Sequence, residues 1–192
     1  MAKIIYSSIC SLDGFIADST GNFDWAAPDE DVHAFINDLE RPIATYLYGR
    51  RMYEVMAVWE DLPDPDQQSA AMRDFASIWS AADKIVFSTT LSSVATSKTT
   101  LERRFDADRL RHLKATSDHD LTVGGPDLAA HAIRAGLVDE YQVFLAPVVI
   151  GIGTKSLPDD CRLDLTLVDE RRFTSGFMFL QYENRSATIT SP

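Results

Sequence analysis

The stretch Asp120-Leu121-Thr122-Val123-Gly124-Gly125-Pro126-Asp127-Leu128 decides the fold class of this chain, because it joins a strand to a helix through paired glycines. The residues up to Val123 form a short apolar run typical of a buried strand, and helical spacing follows from Asp127 to Ala135. Glycine has no Cβ, so the backbone at Gly124 and Gly125 can approach a ligand closely. The helix start behind them offers unpaired N–H groups and a partial positive charge, which suit a phosphate. The stretch therefore indicates either a nucleotide-phosphate site or an ordinary strand–helix turn.

Strands and helices alternate along most of the chain, and a hairpin follows them. Strands are predicted at residues 4–12, 44–48, 84–89, 94–101, 120–123 and 140–149, and helices at 28–42, 49–56, 68–82, 106–113 and 127–135. Two further strands, at 163–173 and 177–182, flank the turn Ser175-Gly176. This order predicts an α/β protein with a mixed, mostly parallel central sheet and antiparallel edge strands. A single domain over residues 1–185 is expected, with a flexible tail at 186–192.

Composition and charge narrow the class of partner. The chain has 192 residues, a hydrophobic fraction of 45% and a net charge of −11. A chain of this length can bury a sizeable core, and its negative charge argues against nucleic acid or an anionic membrane as partner. Cys10 and Cys161 form no CxxC pair, and no secretory signal pattern opens the sequence, so a cytoplasmic location is expected.

Two more strand ends carry residues that suit phosphate. Tyr48 is followed by Gly49-Arg50-Arg51 and a short helix, and a third strand ends in Ser88-Thr89-Thr90. Ligands of open α/β sheets bind outside the carboxyl ends of the strands, and arginine can bind phosphate through two parallel hydrogen bonds. With residues 123–128, these segments favour a dinucleotide with several phosphates. Solvated arginines and a plain strand end would leave the same pattern.

Other signatures are incomplete, which leaves carboxylates as the candidate catalytic groups. Residues 151–156 come close to a P-loop, but Thr154 stands where the glycine before the lysine is required. The four histidines lack the spacing of a metal site. A carboxyl group half-buried near an apolar pocket has a raised pKa, which suits proton donation by Asp13, Glu30 or Asp31. The alternative is that Asp13 stabilises a turn and the other two cap a helix.

The ordered set of motifs resembles the dihydrofolate reductase-like superfamily, and within it the bacterial branch related to the reductase domain of riboflavin biosynthesis. The segments that carry the resemblance are SLDGFIA (11–17), GNFDW (21–25), GRRMYE (49–54), KIVFSTTL (84–91), VGG (123–125), GLVDEY (136–141) and PVVIGIG (147–153). Each motif is common alone, but their order is specific. The resemblance implies a three-layer fold, with helices on both faces of the central sheet, that binds NADPH.

The resemblance also assigns residues to the cofactor. Arginines would meet the adenosine-side phosphates, hydroxyls would lie near the adenine ribose and its 2′-phosphate, and the paired glycines with the following helix start would hold the pyrophosphate. The residues so assigned are Ala17, Gly49, Arg50, Arg51, Ser88, Thr89, Thr90, Val123, Gly124, Gly125, Pro126, Asp127 and Leu128.

On the substrate side, the resemblance implies a cavity lined by Ile9, Asp13 and Trp25. The loop from residue 18 to Trp25 would cover the nicotinamide. Glu30 takes the position of the proton donor, and Asp31 is its neighbour. A homodimer is also implied.

Two departures from the family pattern bear on the ligands. Met52 stands where the family usually has threonine, which removes one hydroxyl contact to phosphate. Asp83 lies near the place where true dihydrofolate reductases carry an arginine for the folate tail, and its charge argues against dihydrofolate as substrate.

The sequence therefore predicts an NADPH-dependent reductase that transfers hydride to a small heterocycle, such as a pyrimidine- or pterin-like compound. The alternative is an NADPH-binding sensor or scaffold protein without catalysis. A third possibility is a globular domain that binds no dinucleotide.

Overall fold

An eight-stranded sheet forms the centre of the computed structural model, which describes residues 2–185; the predicted tail, 186–192, lies outside the described residues. Its strands are β1 (Ile4–Ser11), β3 (Thr45–Gly49), β4 (Asp83–Phe87), β5 (Thr99–Glu102), β6 (Leu121–Gly124), β7 (Glu140–Ala146), β9 (Leu165–Arg172) and β10 (Met178–Asn184). Two short strands, β2 (Phe15–Asp18) and β8 (Gly153–Lys155), pair antiparallel with each other beside it.

The strand order is β5-β4-β3-β6-β1-β7-β10-β9. All neighbours from β5 to β7 are parallel, whereas β10 runs antiparallel to both β7 and β9. The predicted mostly parallel sheet and the carboxyl-terminal hairpin are confirmed.

Within residues 2–185, five α-helices connect the strands and cover both faces of the sheet. They are α1 (Glu30–Glu40), α2 (Arg50–Met56), α3 (Ala70–Ala81), α4 (Ala107–Thr116) and α5 (Pro126–Arg134). Successive side chains of a strand point to opposite faces, so Ile4 and Tyr6 pack with residues of α4 and α5, whereas Ile5 packs with residues of α3. The first three helices lie on one face, and the last two lie on the other.

Side-chain caps fix where three of these helices begin. The carboxylate of Asp29 accepts the N–H of Val32 (2.9 Å) before α1, and the Ser69 hydroxyl accepts the N–H of Met72 (3.2 Å) before α3. Asp106 caps α4 in the same way. Such caps satisfy N–H groups that a helix leaves unpaired at its start.

The fourth predicted strand begins later than its apolar residues suggest. The prediction was residues 94–101, but β5 begins at Thr99. The preceding segment is a loop in which the Tyr53 hydroxyl accepts the N–H groups of Ala95 (2.9 Å) and Thr96 (3.2 Å). A tertiary contact from α2 therefore satisfies backbone groups that a longer strand would pair.

A buried polar group lies at the end of α1. Glu40 is almost fully buried, and burial raises the pKa of its carboxyl group to about 7. Its Oε2 atom has no hydrogen-bond partner within residues 2–185. Tyr46 and Tyr48, both buried, lie close enough for the Glu40 charge to raise their pKa values further. The neutral acid is the form that this environment favours.

Among the described residues, 2–185, no helix is both long and apolar enough to cross a membrane.

Candidate functional site

The carboxyl ends of three neighbouring strands bring the predicted phosphate-binding segments together. Tyr48 of β3 lies opposite Gly124 of β6, and Gly49 lies opposite Phe87 of β4. Adjacent strands are about 4.8 Å apart. The segments 49–51, 88–90 and 124–126 are therefore side by side at one edge of the sheet, where α2 and α5 begin.

The start of α5 has free backbone donors. Gly125 occupies the cap position with φ +87, a conformation that favours glycine, and offers no capping side chain. Pro126 follows at the first helical position, and the N–H of Ala129 bonds to the carbonyl of Gly125 (3.0 Å). The N–H groups of Asp127 and Leu128 precede that bond and have no intrahelical acceptor. This helix start can accept an anion.

Gly124 is required for a different reason from the one its sequence context suggests. A Cβ at this position would lie 2.7 Å from the Tyr48 ring and 3.3 Å from the Cγ of Met52. The side chains of Tyr48 and Met52 occupy the space that a Cβ of residue 124 would need. Glycine at this position therefore allows β6 to pack closely against β3 and α2. Met52, the residue that departs from the family pattern, is one of the two that fill this space.

Most arginines at this edge already have partners. Arg50 bonds to Glu54 (3.1 Å), and Arg109 bonds to Glu102 (2.6 Å). Arg103 donates to the carbonyls of residues 88, 91 and 92, and so holds the loop after β4.

Two exposed arginines at the same edge remain unpaired within residues 2–185: Arg51, in the first turn of α2, and Arg104, just after β5. The strands that lead to them flank β4 on both sides. The two residues therefore lie on either side of the segment after β4. Arg104 is not among the residues assigned to the cofactor from the sequence, and its position two residues beyond the end of β5 is the signal that could have identified it.

The three hydroxyls after β4 differ in their contacts. The Ser88 hydroxyl is largely buried and accepts the N–H groups of Thr90 (3.2 Å) and Leu91 (3.0 Å). Thr89 and Thr90 are exposed. Ser88 therefore shapes the turn, whereas the two threonines face solvent between the unpaired arginines.

Asp13 fastens two loops at the carboxyl ends of β1 and β7. Its carboxylate accepts the Ser11 hydroxyl (2.6 Å) and the N–H groups of Ile150 (3.1 Å) and Gly151 (2.7 Å). These hydrogen bonds, the one from Ser11 first, lower the pKa of the Asp13 carboxyl group. Asp13 is therefore held as a carboxylate.

Glu30 links α1 to the start of α3. Its Oε1 accepts the N–H of Ala71 (2.9 Å), and hydrogen bonds from Ser69 and then Ala71 lower the pKa of its carboxyl group. His33, one turn further along α1, is half-buried against the rings of Trp59 and Phe75. Burial lowers the pKa of His33, which favours the neutral imidazole.

Asp31, the neighbour of Glu30, is exposed. No hydrogen bond or ion pair of its side chain occurs in the described part of the chain.

Ile9 and Trp25 share one apolar cluster. Both pack, partly buried, against the cluster of buried residues that includes Val32 of α1 and Phe144 of β7. The Trp25 indole N–H donates to the carbonyl of Asn22 (3.2 Å), which holds the ring against its own loop. The structure therefore brings together two of the three residues predicted to line the substrate cavity.

Ala17 is buried in β2, opposite Thr154 of β8. Strand β8 was not predicted from the sequence, because Gly153 has the pattern of a flexible loop. A Cβ on Gly153 would lie 2.0 Å from the carbonyl oxygen of Ala17. This close approach positions the strand that leads into the 18–25 loop.

The sheet is mostly parallel, ends in a carboxyl-terminal hairpin, and has helix starts and arginines at its carboxyl edge. This arrangement is that of the dihydrofolate reductase-like class of α/β proteins. Solved structures with this fold include a putative riboflavin biosynthesis protein from Shewanella sp. PV-4 (TM-score 0.74, 20% identity, covering 96% of this chain and 99% of that chain). Dihydrofolate reductase from Enterococcus faecalis, complexed with NADP(H), is similar over 95% of this chain and 96% of that chain (TM-score 0.63, 14% identity).

The chain belongs to the RibD C-terminal domain family, whose sequence model matches residues 2–179. The resemblance predicted from the motifs is thereby confirmed. The chain spans 58% of the RibD structure from Acinetobacter baumannii (TM-score 0.67, 14% identity, 96% of this chain). A curated relative, the uncharacterized protein YyaP of Bacillus subtilis, is 28% identical over 182 residues, which are 94% of each chain.

Proposed function

We propose that this protein is an NADPH-dependent reductase that transfers hydride to a small heterocyclic substrate of the pyrimidine or pterin type. The observation that carries the proposal is the gathering of a free helix start, two unpaired arginines and two exposed threonines at one edge of the sheet. Family membership supports a reductase, and one structural neighbour is a dihydrofolate reductase complexed with NADP(H). Another neighbour, from Thermotoga maritima, is named as a pyrimidine deaminase and uracil reductase.

In this proposal the α5 start holds the pyrophosphate through the N–H groups of Asp127 and Leu128. Gly49 and Arg50 adjoin it at the start of α2. Arg51 and Arg104 bind the 2′-phosphate from two sides, with Thr89 and Thr90 between them. Local positive charge is needed here, since the chain as a whole carries −11.

The chemistry supplied by the bound cofactor is a hydride for an electron-poor C=N or C=O carbon. The protein positions the substrate against Ile9 and Trp25, beneath the loop 18–25, and excludes water there. The adjacent heteroatom takes a proton. Because Asp13 and Glu30 are held as carboxylates, we assign them to stabilising the protonated, positively charged heteroatom, which takes its proton from solvent. Asp31 is the third candidate for the same role.

Titration with NADPH and NADH, followed by tryptophan fluorescence, tests the cofactor assignment, and consumption of NADPH with pyrimidine and pterin oxidants tests turnover. Tight binding of NADPH without turnover of any such compound would favour the sensor or scaffold alternative. Absence of binding to either cofactor would overturn the whole proposal.

Arg51→Ala and Arg104→Ala are each expected to weaken NADPH binding about tenfold, since each removes one charge-assisted contact to phosphate. Binding of NADH, which lacks the 2′-phosphate, should change little. Dissociation constants for both cofactors at low and high salt measure this, and the loss should shrink as salt rises. Arg162→Ala, which removes an exposed arginine outside the site, is the control. Equal weakening of NADPH and NADH binding would contradict the assignment.

Glu30→Gln is expected to lower kcat about tenfold while NADPH affinity stays unchanged, because a neutral amide stabilises a protonated substrate less than a carboxylate does. The substitution keeps an oxygen that can accept the N–H of Ala71, so the link to α3 is retained. Steady-state kinetics and cofactor titration on Glu30→Gln, Asp31→Asn and Asp13→Asn identify which carboxylate acts. Parallel losses of kcat and NADPH affinity in Glu30→Gln would indicate a structural role instead.

A further inference from the structure

The part of the sheet edge assigned to the substrate carries carboxylates without bases. Residues 4–40, which run from β1 through the loop 18–25 to the end of α1, contain no lysine or arginine. The same holds for residues 135–154, which include β7 and the loop after it. Six acids lie between the end of β1 and the first turn of α1: Asp13, Asp18, Asp24, Asp29, Glu30 and Asp31. None of the six forms an ion pair within residues 2–185, so no neighbouring base neutralises them.

Four of these carboxyl groups are held in the charged form by hydrogen bonds. The bonds lower their pKa values, and in each case the largest effect comes from a hydroxyl group: Ser11 for Asp13, Thr20 for Asp18, Ser175 for Asp29 and Ser69 for Glu30. The other two, Asp24 and Asp31, are exposed, and their side chains make no hydrogen bond in the described part of the chain. A ligand on this side therefore meets fixed negative charge.

Arg171 lies on the same face of the sheet but is separated from the substrate side. One cross-strand row connects β1 with β9, and its residues are Ile9, Phe144, Phe179 and Arg171. Three strand spacings, about 14 Å, therefore separate Arg171 from Ile9. The two phenylalanines between them are fully buried, and the guanidinium of Arg171 stacks over Phe35 of α1 (4.7 Å). An anion beside Ile9 does not reach this base.

Two further bases come near the acids and are engaged elsewhere. Arg73 is close enough to Glu30 to affect its pKa, but it donates to the carbonyls of residues 65 and 68 in the loop before α3. Lys155 of β8 bonds to Asp159 and lines a cavity with the start of α5, on the cofactor side. Neither base is available to an anion at Ile9 and Trp25.

Exposed apolar side chains lie among the carboxylates. The loops after β1 and β7 carry Leu12, Val149 and Ile152, each about two-thirds exposed (65%, 66% and 69%). The Asp13 carboxylate fastens these two loops to each other through the N–H groups of residues 150 and 151. Single apolar residues are common on protein surfaces, but a group of them beside a cavity marks a surface that a ligand covers.

We propose that the substrate of this site is an uncharged or cationic heterocycle that carries no phosphate or carboxylate group. The inference rests on the proposed function, because it takes the side of Ile9 and Trp25 as the substrate side. Unpaired arginines follow β3 and β5, where the cofactor phosphates are assigned, whereas the acids follow β1. An anion is attracted to the first region and repelled from the second, so the charge of the protein directs each ligand to its own place.

Fluorescence quenching of Trp25 tests the charge at this side without any substrate. In a Trp59→Phe protein Trp25 is the accessible fluorophore, since Trp79 is fully buried. Iodide, caesium and uncharged acrylamide are compared at an ionic strength of about 0.1 M, where the screening length is about 10 Å. Relative to free tryptophan, caesium should quench Trp25 about threefold more efficiently than iodide. Equal quenching by the two ions would overturn the inference.

Charge reversal at Asp24 is the matched variant, because its side chain makes no hydrogen bond or ion pair within residues 2–185. Asp24→Lys should bring quenching by iodide and by caesium close to equal. Asp118→Lys makes the same change on an exposed loop at the opposite edge of the sheet, before β6, and should leave the ratio as it was. A ratio that responds equally to both variants would show that net charge, and not the site, repels the anion.

A matched set of ligands tests the substrate class itself. 7,8-Dihydropterins with a methyl, an aminomethyl or a carboxyl group at carbon 6 differ chiefly in charge. With NADP⁺ present, calorimetry should show the methyl and aminomethyl compounds binding about tenfold or more tightly than the carboxyl compound. Uridine should likewise bind more tightly than uridine 5′-monophosphate, and Asp24→Lys should narrow both differences.

Tighter or equal binding of the anionic member in both sets would overturn the inference. If none of these compounds binds, the quenching ratio alone decides it. A protein that binds neither NADPH nor NADH contradicts the proposed function, whereas the quenching ratio needs no cofactor. The two failures are therefore distinguishable.

Discussion

Glu40→Gln is expected to raise the free energy of unfolding by about 3 kcal/mol at about pH 8 and to change it little at about pH 4. In the folded protein the pKa of Glu40 is about 7, against an ordinary value of 4.5. A raised carboxyl pKa means that the folded state is most stable below the unfolded pKa. The free energy of unfolding falls as the pH rises from 4.5 to about 7, and this loss of stability stays constant at higher pH. Glutamine resembles the neutral acid but does not ionise, so the variant does not lose stability as the pH rises.

Urea denaturation at several pH values between about 4 and 8 measures this effect. Glu54→Gln, at an exposed glutamate on α2, serves as the control and should show no comparable pH dependence. Tyr46 and Tyr48 face Glu40 and remain neutral over this range, because burial raises their pKa values. A stability gain that is the same at low and high pH would show that Glu40 does not change its protonation state on folding.

Gly153→Ala is expected to lower the free energy of unfolding by about 3 kcal/mol, the upper part of the range for overpacking. The new Cβ would meet the carbonyl oxygen of Ala17 at 2.0 Å and the Cα of Asp18 at 2.9 Å. Both contacts are backbone atoms, which cannot rotate away as a side chain would. The strands β2 and β8 must therefore separate, and the loop 18–25 loses its support.

Gly151→Ala is the comparison for this substitution. Gly151 has φ +82 but open space around it, so alanine there carries only the strain of a left-handed backbone, about 1 kcal/mol. Thermal unfolding ranks the two variants, and hydrogen exchange of Ala17 and Asp18 reports on the strand pair. If Gly153→Ala is no more destabilising than Gly151→Ala, the close pairing of β2 with β8 is wrong.

The fold was predictable from the sequence because hydrophobic periodicity and glycine positions act locally. The segments Val123–Leu128 and Gly49–Arg51 each carry a strand end, a glycine and a helix start within a few residues. Parallel pairing then places such ends at one edge, whatever the details of packing. The confirmed α/β class and hairpin rest on these local signals.

The contacts of the site were less predictable, because they depend on residues distant in sequence. The sequence alone does not distinguish Arg103 from Arg104. In the structure Arg103 donates hydrogen bonds to three carbonyl groups of the loop after β4, whereas Arg104 is unpaired within residues 2–185. The glycine at 124 looks like a ligand contact and proves to accommodate Tyr48. The roles of Glu30, Asp13 and Asp31 stay predictions until the kinetic measurements are made.

The position of β1 has a consequence for how the nascent chain folds. This strand, the first of the sheet in chain order, lies in the interior of the sheet, between β6 and β7. Its partners are residues 121–123 and 140–146, so it has no neighbour in the sheet until residue 121 has been synthesised. Contacts of such long sequence separation slow folding, because a large loop must close before they form. Residues 2–120 alone therefore lack both strands that pair with β1, and during synthesis the sheet closes around this strand only after residue 146 has been made.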